Sequence, residues 1–433
     1  MKIVLAIALL APGVATAQVV HQGQAAYGDW HTDAPGVVRH LTEADLPPFD
    51  ATPSASHGPR VIPRPAGAAP AVPKGFTVQL WATGLDMPRS LRTAPNGDVF
   101  LAESGSGRIL AWRPQVGASH PGSAVAFASH LNQPFGIAFW PPVRPRFVYV
   151  AETSRIVRYP YDGRTEAAGP AEVIVPHLPE GGHWTRDLAA APDGTALFVS
   201  VGSASNIARG MRGTGGSGSA AAAGAATGDE AGRAAVFRFS PEGGPLQIVA
   251  SGIRNCVGVA IEPKTGSLWC ATNERDGLGD DLPPDYVTRV TPGAFYGWPW
   301  YYIGDHEDPR HKGERPDLRG QISVPDVLIQ PHSAPLGVTF YNGNSFPADY
   351  EGDGFVTLHG SWNRARRTGY KVVRIKLRDG VPTGDYQDFL TGFVANDDAV
   401  WGRPVGVTVM QDGSLLVSED GNGTIWRVSY GPR

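Results

Sequence analysis

The chain has 433 residues, of which 55 are Gly and 39 Pro, with 18% charged residues and a formal net charge of -4. So many chain breakers leave little room for long helices, and so small a net charge gives no reason to expect nucleic acid or an anionic membrane surface as a partner. The length would suit two or three ordinary domains, yet all-β sandwiches and barrels often run well past the usual domain size as single units.

Residues 1–17 carry Lys2, an apolar run from Ile3 to Ala11, a Pro-Gly break and Ala15-Thr16-Ala17. This pattern predicts a secretory signal cleaved after Ala17, with a buried or membrane helix as the alternative. The run falls well short of the ~20 apolar residues that span a bilayer, and no later segment is long and apolar enough either. A periplasmic or secreted protein without a membrane span is expected. Residues 18–71, rich in Pro, Ala, His and Gly without a sustained period, read as an irregular extension, partly ordered at most.

From residue 72 to 433 one pattern recurs six times: a short approach, often Pro-x-Gly followed by alternating apolar residues, then a turn, then a second apolar run. It appears at Pro88 to Glu103, Pro134 to Glu152, Arg186 to Ser200, Ile253 to Cys270, Pro335 to Leu358 and Pro404 to Glu419. The copies read as antiparallel hairpins. Most are followed by a further strand containing Arg, such as Arg108 to Trp112 or Thr424 to Val428. Three or four strands per repeat of about forty to seventy residues is the arithmetic of a propeller. The expected fold is all-β, a six-bladed β-propeller; a β-sandwich with chance similarity between hairpins is the alternative.

Two insertions interrupt the repeats. Residues 207–233 are a low-complexity Gly, Ala and Ser run that reads as a mobile surface loop. Residues 296–335, Trp-rich at the start and then charged, read as a structured excursion. The two cysteines, Cys256 and Cys270, sit on the two strands of one hairpin. In an oxidising compartment this placement predicts a disulfide, against a pair of buried thiols. No haem-attachment motif or zinc-like Cys cluster occurs.

In a propeller the loops that enter the innermost strand and those that leave the second strand open on one face. Aligning the repeats therefore identifies a ring. At the entering positions stand Asp86 and Met87, Asn132 and Gln133, His183 and Trp184, Arg254 and Asn255, His332 and Ser333, and Gly402 and Arg403. The leaving positions offer Glu103, Glu152, Asn206, residues 273–276, residues 362–367 and Glu419-Asp420. Such a ring has the inventory for proton abstraction beside an anionic ligand: His accepts a proton near neutral pH, Arg binds carboxylates bidentately, and oxygens hold Ca²⁺. A single Arg at such a position is more often one half of an ion pair. The case rests on His183, Arg254 and Arg403 converging.

Gly-Gly-His183-Trp-Thr-Arg186-Asp, Ser-Gly-Ile-Arg254-Asn255, Asn273-Glu274-Arg275-Asp276, Phe295-Tyr296-Gly297-Trp298-Pro299, His359-Gly-Ser-Trp362-Asn-Arg364 and Gly402-Arg403-Pro-Val-Gly406 follow one another in the order seen in the glucose/sorbosone dehydrogenase family. The chain resembles that family over roughly residues 74 to 430, and the sorbosone dehydrogenase-like branch in particular. The resemblance implies an oxidoreductase that uses pyrroloquinoline quinone (PQQ) and Ca²⁺ to oxidise a sugar or related polyol. It implies His183 as the general base, Arg254 as the group stabilising the developing oxyanion, and Ca²⁺ as a Lewis acid on the quinone. By position, Asn255, Arg367 and Arg403, with Gln133 and Trp362 from the same ring, would bind the cofactor, and the backbone carbonyls of Arg275 and Asp276 would hold Ca²⁺. The chain departs from the glucose enzymes where Arg366 or Arg367 replaces a cofactor-binding lysine, Trp401 replaces one of two paired arginines, and Arg275-Asp276 replaces a Gly-Pro metal-binding turn. The electron acceptor, a cytochrome or a quinone, would be a separate partner. Two other readings remain: a Ca²⁺-dependent lactonase or esterase propeller, which would need at least three side-chain oxygens around a metal, and a non-catalytic interaction propeller.

Overall fold

The computed structural model describes residues 19–115, 120–208, 211 and 227–431. The expected signal segment, residues 1–17, and the middle of the 207–233 insertion lie outside the described residues. No α-helix occurs among the described residues, and no helix there is long and apolar enough to cross a membrane. The fold is all-β, as expected, and built from many small sheets.

Each of the six predicted hairpins forms the first two strands of its own sheet. The first sheet holds Pro88–Thr93, Val99–Glu103, Arg108–Trp112 and Val125–Ala128, and the second runs from Gly136–Trp140 to Glu172–Val175. The third runs from Leu188–Ala190 to Gln247–Ser251, and the fourth from Cys256–Ile261 to Val327–Ile329. The fifth begins with Pro335–Phe340 and the sixth with Pro404–Val409. The sixth is completed from the other end of the chain, where Phe76–Ala82 pairs antiparallel with Thr424–Tyr430.

Strand side chains alternate between two faces, and here both faces are covered. In Val99–Glu103, Phe100 and Ala102 join Ile137, Val148 and Val150 of the second sheet, while Val99 and Leu101 join Leu416 and Ile425 of the sixth. This explains the unbroken apolar runs of the second strands, which lie between two neighbouring sheets.

The recurring glycine has a separate cause. A Cβ on Gly136 would collide with the carbonyl oxygen of Arg186, one on Gly258 with that of Leu336, one on Gly337 with that of Val405, and one on Gly406 with that of Arg89. First strands of neighbouring sheets approach this closely because no side chain stands between them. At the equivalent point the first sheet has Ser90 and the third has Asp187. Asp187 accepts hydrogen bonds from Arg92 of the first sheet (2.6 and 2.8 Å) and from the Val259 amide of the fourth (2.9 Å). An ion pair thus crosses between the first strands. Above it Phe135, Val257, Leu336 and Val405 form a small apolar cluster with Trp184 packed on it.

Cys256 and Cys270 form a disulfide with a Cα separation of 5.7 Å. A bulge after Cys256 shifts the register, so that Cys270 lies opposite Val259.

Residues 19–71 depart from expectation. Most of the segment is irregular, but Val38–His40 pairs with Val381–Leu390, and Val20–His21 pairs with Val38–His40, extending the fifth sheet to six strands. Arg60–Val61 pairs with Ala399–Val400. The anchor is electrostatic: Arg39 bonds Asp33 and Asp388 (both 2.9 Å), and Lys371 bonds the same two carboxylates at 2.7 and 2.8 Å. All four side chains are almost fully buried. No apolar period announces such a segment, because its buried apolar residues, Ala26, Tyr27 and Leu41, join the core singly beside these charge pairs and form no stripe. The described ends of the 207–233 insertion are buried at Ala208, Met211 and Arg233, a difference from the expected surface loop.

Removing one partner of a buried ion network leaves the others uncompensated, at a cost of about 3–5 kcal/mol. Lys371→Met is expected to lower unfolding stability by that amount in urea titrations. A loss below about 1 kcal/mol would show that residues 33 and 39 do not anchor the extension.

Candidate functional site

The loops that approach the first strands and leave the second strands border a cavity of about 540 Å³ on one face of the molecule. Five of the sheets contribute through Arg89, His183, Arg254, His332 and Arg403. Val257 and Leu336 of the apolar cluster line it, with Phe135 and Val405 packed against them.

His183 stands on the loop before the third sheet. Its Nδ1 lies 2.8 Å from the Ser203 carbonyl oxygen. A carbonyl only accepts, so Nδ1 carries the proton and Nε2 holds the lone pair. Burial first, and then the nearby Arg254 guanidinium, push the imidazole pKa down to about 3. His183 is therefore neutral at pH 7. Gly202 makes the room for it: a Cβ there would meet both the His183 Cβ and the Asn255 side-chain oxygen.

Arg254, buried on the loop before the fourth sheet, donates to the carbonyl of Glu274 at 2.7 Å and to Asn206 Oδ1 at 3.1 Å, and lies 3.4 Å from Asp276 Oδ2. Asn206 is the organiser of this wall. Its Oδ1 also accepts the Asp276 amide (2.9 Å), its Nδ2 donates to the Asp276 carbonyl (3.0 Å), and its own carbonyl accepts the Trp298 indole N–H (3.0 Å). The Trp-rich excursion thus supports the site from behind. Burial raises two carboxyls lining this wall, Glu274 to about 8 and Asp285 to about 7, which leaves Asp276 to face Arg254.

On the opposite wall Arg403 donates to His359 Nδ1 (3.0 Å), and His359 Nε2 lies 2.9 Å from Asp420 Oδ1. Asp420 also pairs with Arg89, whose guanidinium lies over the rings of Phe135 and Trp184 at 5.5 and 5.4 Å. The surrounding Arg and His groups hold the Asp420 carboxyl well below its usual range even against burial.

The structure brings His183, Arg254, Asn255, Asp276, Trp362 and Arg403 to one cavity. Trp362 is half exposed at its edge. Three other sequence candidates stand elsewhere. Arg367 is fully buried and spends its donors on the carbonyls of Asp397 (2.8 Å), His57, Gly58 (3.2 Å) and Ser361 (3.2 Å), clamping the extension that gave no signal in the sequence. Gln133 occupies a turn position that it shares with Met87 and Ala334, all three with left-handed backbone (φ 47°, 55° and 56°). Its exposed side chain reaches Thr153 at 3.5 Å, outside the cavity lining. Arg275 is buried beside Asp308 at 3.2 Å.

Two lining residues carried no role in the sequence reading, Arg89 and His359. The signal for Arg89 was present: its position is apolar in four repeats, as Phe135, Val257, Leu336 and Val405, and a charge there stands out. His359 follows a second strand directly, and in the sequence it stands only as the first residue of the motif it shares with Trp362 and Arg364.

Two observations bear on what the cavity would hold. Arg403 has no carboxylate ion-pair partner among the described residues, and its Nε, the Arg89 Nε and the Asn255 Oδ1 are buried without a hydrogen-bond partner. Unpaired buried donors are costly unless a ligand satisfies them. The two guanidinium Nε donors suit a polyanion, whereas the Asn255 oxygen is an acceptor that only a donor group of the ligand would satisfy. A cation fits less well: no group of three His, Cys, Asp or Glu that could hold a metal occurs among the described residues. Of the two carbonyls expected to hold Ca²⁺, those of Arg275 and Asp276, the latter accepts from Asn206, and both Asp276 carboxylate oxygens are engaged, by Asn363 and Arg254.

A family model, TrAA12-like, matches residues 70–293 and 313–431. The chain is 26% identical over 374 residues to an uncharacterized protein of Borreliella burgdorferi, covering 83% of this chain and 90% of that one. It is also 26% identical over 419 residues to a pyrroloquinoline quinone-dependent pyranose dehydrogenase of Coprinopsis cinerea, covering 82% of this chain but 54% of that protein. Among solved structures, the holo PQQ domain of Coprinopsis cinerea pyranose dehydrogenase superposes with a TM-score of 0.69 at 22% identity, covering 86% of this chain and 99% of that domain. A Trichoderma reesei carbohydrate-active enzyme of family AA12 superposes with a TM-score of 0.68 at 20% identity, covering 84% and 97%.

Because the folded pKa of His183 lies below the ordinary 6.5, the ring stays neutral as the pH falls through 6.5 and charges only near 3. In the ligand-free protein the His183 Cε1–H resonance is expected to stay flat from about pH 8 to 5. A titration midpoint near 6.5 would mean that the ring is not buried beside Arg254.

Proposed function

The chain belongs to the TrAA12-like family, and from that premise we propose that it is an exported, six-bladed propeller enzyme that oxidises a sugar or related polyol with bound pyrroloquinoline quinone. Support for six blades comes from six sheets whose first strands touch in sequence, with the sixth touching the first. The observation that carries the reading is the pairing, in one cavity, of a neutral imidazole with a free Nε2 and two guanidiniums, Arg89 and Arg403, whose buried Nε donors lack partners.

Arg403 and Arg89 would hold the cofactor's carboxylates and quinone oxygens, satisfying the two guanidinium Nε donors now orphaned, with Asn255 beside them presenting an unpaired acceptor, its Oδ1. When bound, the quinone supplies a two-electron acceptor for the hydride leaving the substrate carbon. His183 Nε2 takes the proton of the substrate hydroxyl, and the Ser203 carbonyl, fixed through Nδ1–H, keeps that lone pair available. The imidazolium that results loses its proton to solvent before the next turnover. Arg254, immobilised by Asn206 and the Glu274 carbonyl, presents positive charge where negative charge develops on the substrate oxygen. Trp362 offers an aromatic face at the edge of the cavity. Electrons then pass to a separate acceptor, a cytochrome or a quinone.

Ca²⁺ meets no cluster of three His, Cys, Asp or Glu side chains among the described residues, and the residue roles above do not depend on it. For a Ca²⁺-dependent lactonase, no group of three His, Cys, Asp or Glu side chains that could hold the metal occurs among the described residues.

Reconstitution of the purified protein with PQQ, followed by dye reduction with a panel of aldoses and polyols, tests the proposal. Reduction with at least one sugar is expected, and none across the panel would overturn it. In the reconstituted protein His183→Ala is expected to lower kcat by about 10²- to 10⁴-fold while leaving PQQ affinity nearly unchanged. A variant with wild-type turnover would remove His183 from the base role. Ca²⁺ alone at about 1 mM is expected to raise Tm by less than about 1 °C, since only a formed site is stabilised by its ligand. A larger shift would reveal a calcium site that the free protein already possesses.

A further inference from the structure

The wall facing His183 contains a chain of four groups that the reaction as described uses only at its ends. Arg89 and Arg403 line the cavity from the first and sixth sheets. Between them stand Asp420, which leaves the second strand of the sixth sheet, and His359, which leaves that of the fifth. Arg403 Nη2 can only donate, so His359 Nδ1 at 3.0 Å is its acceptor. That forces the proton onto Nε2, which donates to Asp420 at 2.9 Å. The Asp420 second oxygen accepts from Arg89. Asp420 therefore neutralises one guanidinium directly and orients the other through a neutral ring.

The consequence is geometric. A carboxylate placed directly on Arg403 would cancel its charge, and no partner at all would leave a long side chain free to choose rotamers. A neutral imidazole acceptor fixes the guanidinium while leaving its charge uncompensated. Its buried Nε without a partner is what such an arrangement leaves over.

We propose that His359 is a positioning residue, held in one tautomer by Asp420, that fixes Arg403 as an anion clamp for a carboxylate of the ligand in the cavity. This rests on the proposed anionic cofactor, and it adds a residue that acts through Arg403 rather than on the substrate.

The amide of Asn falls near the Nδ1 position of His and that of Gln near Nε2, so the two replacements divide the role. H359N retains an acceptor for Arg403, whereas H359Q retains only the partner of Asp420. Dissociation constants of the cofactor-free protein are read by tryptophan fluorescence quenching for two probes, PQQ and the redox-inert benzene-1,3,5-tricarboxylate. H359Q is expected to weaken binding about tenfold or more, the scale of one hydrogen bond to a charged group, and H359N by less than about threefold. In the double variant H359Q/R403A binding should match R403A alone within about threefold, since both changes remove one interaction. Wild-type affinity in H359Q, equal losses in H359N and H359Q, or a full additional loss on the R403A background would each overturn the clamp. If wild type binds the tricarboxylate with this pattern but not PQQ, the clamp stands and the proposed cofactor falls. If it binds neither probe, the clamp is overturned.

Discussion

The close approach of neighbouring first strands is the constraint on which the rest of this molecule depends. Backbone meets backbone at Gly136, Gly258, Gly337 and Gly406, each facing a carbonyl of the next sheet. A methyl group at these points would push the sheets apart and break the apolar interfaces between them. The same closeness sets the size of the space above, because it brings loops from five sheets within reach of one ligand. Where the pattern lapses, at Asp187, the chain places a carboxylate that ties the first, third and fourth sheets together.

The repeats were legible because they are periodic twice over, in apolar alternation and in the Gly and turn residues that punctuate it. His183, Arg254, Asn255 and Arg403 were legible because equivalent positions in a repeat must converge. The same reasoning over-reached at Gln133, whose position is set by the turn, and at Arg367, which faces the extension. It under-reached at Arg89, hidden within a strand start. Residues 19–71 could not be read, since an irregular segment docked by Arg39 and Asp33 has no period to detect. Neither could tautomers, which depend on which atom of a distant residue lies at hydrogen-bond distance.

Those tautomers give the cavity its chemical polarity. One imidazole is fixed by a carbonyl and presents a lone pair; the other is fixed by an arginine and a carboxylate and presents nothing. Between them lie cations whose nearby acids are partly silenced by burial, as at Glu274 and Asp285. A site with more fixed positive than negative charge, and with buried donors left over, is arranged to receive charge rather than to balance itself.

The charge network of Arg39, Asp33, Lys371 and Asp388 bears on how portable this fold is. Family likeness begins at residue 70, after both members of the network that lie in the extension. A fragment trimmed to the family boundary would carry Lys371 and Asp388, buried partners on the fifth sheet, with half of their counter-charges removed. In this chain the stretch matched by the family and the stretch tied together by buried charge are different lengths, and grafts or fusions cut at the former would leave buried charges of the latter uncompensated.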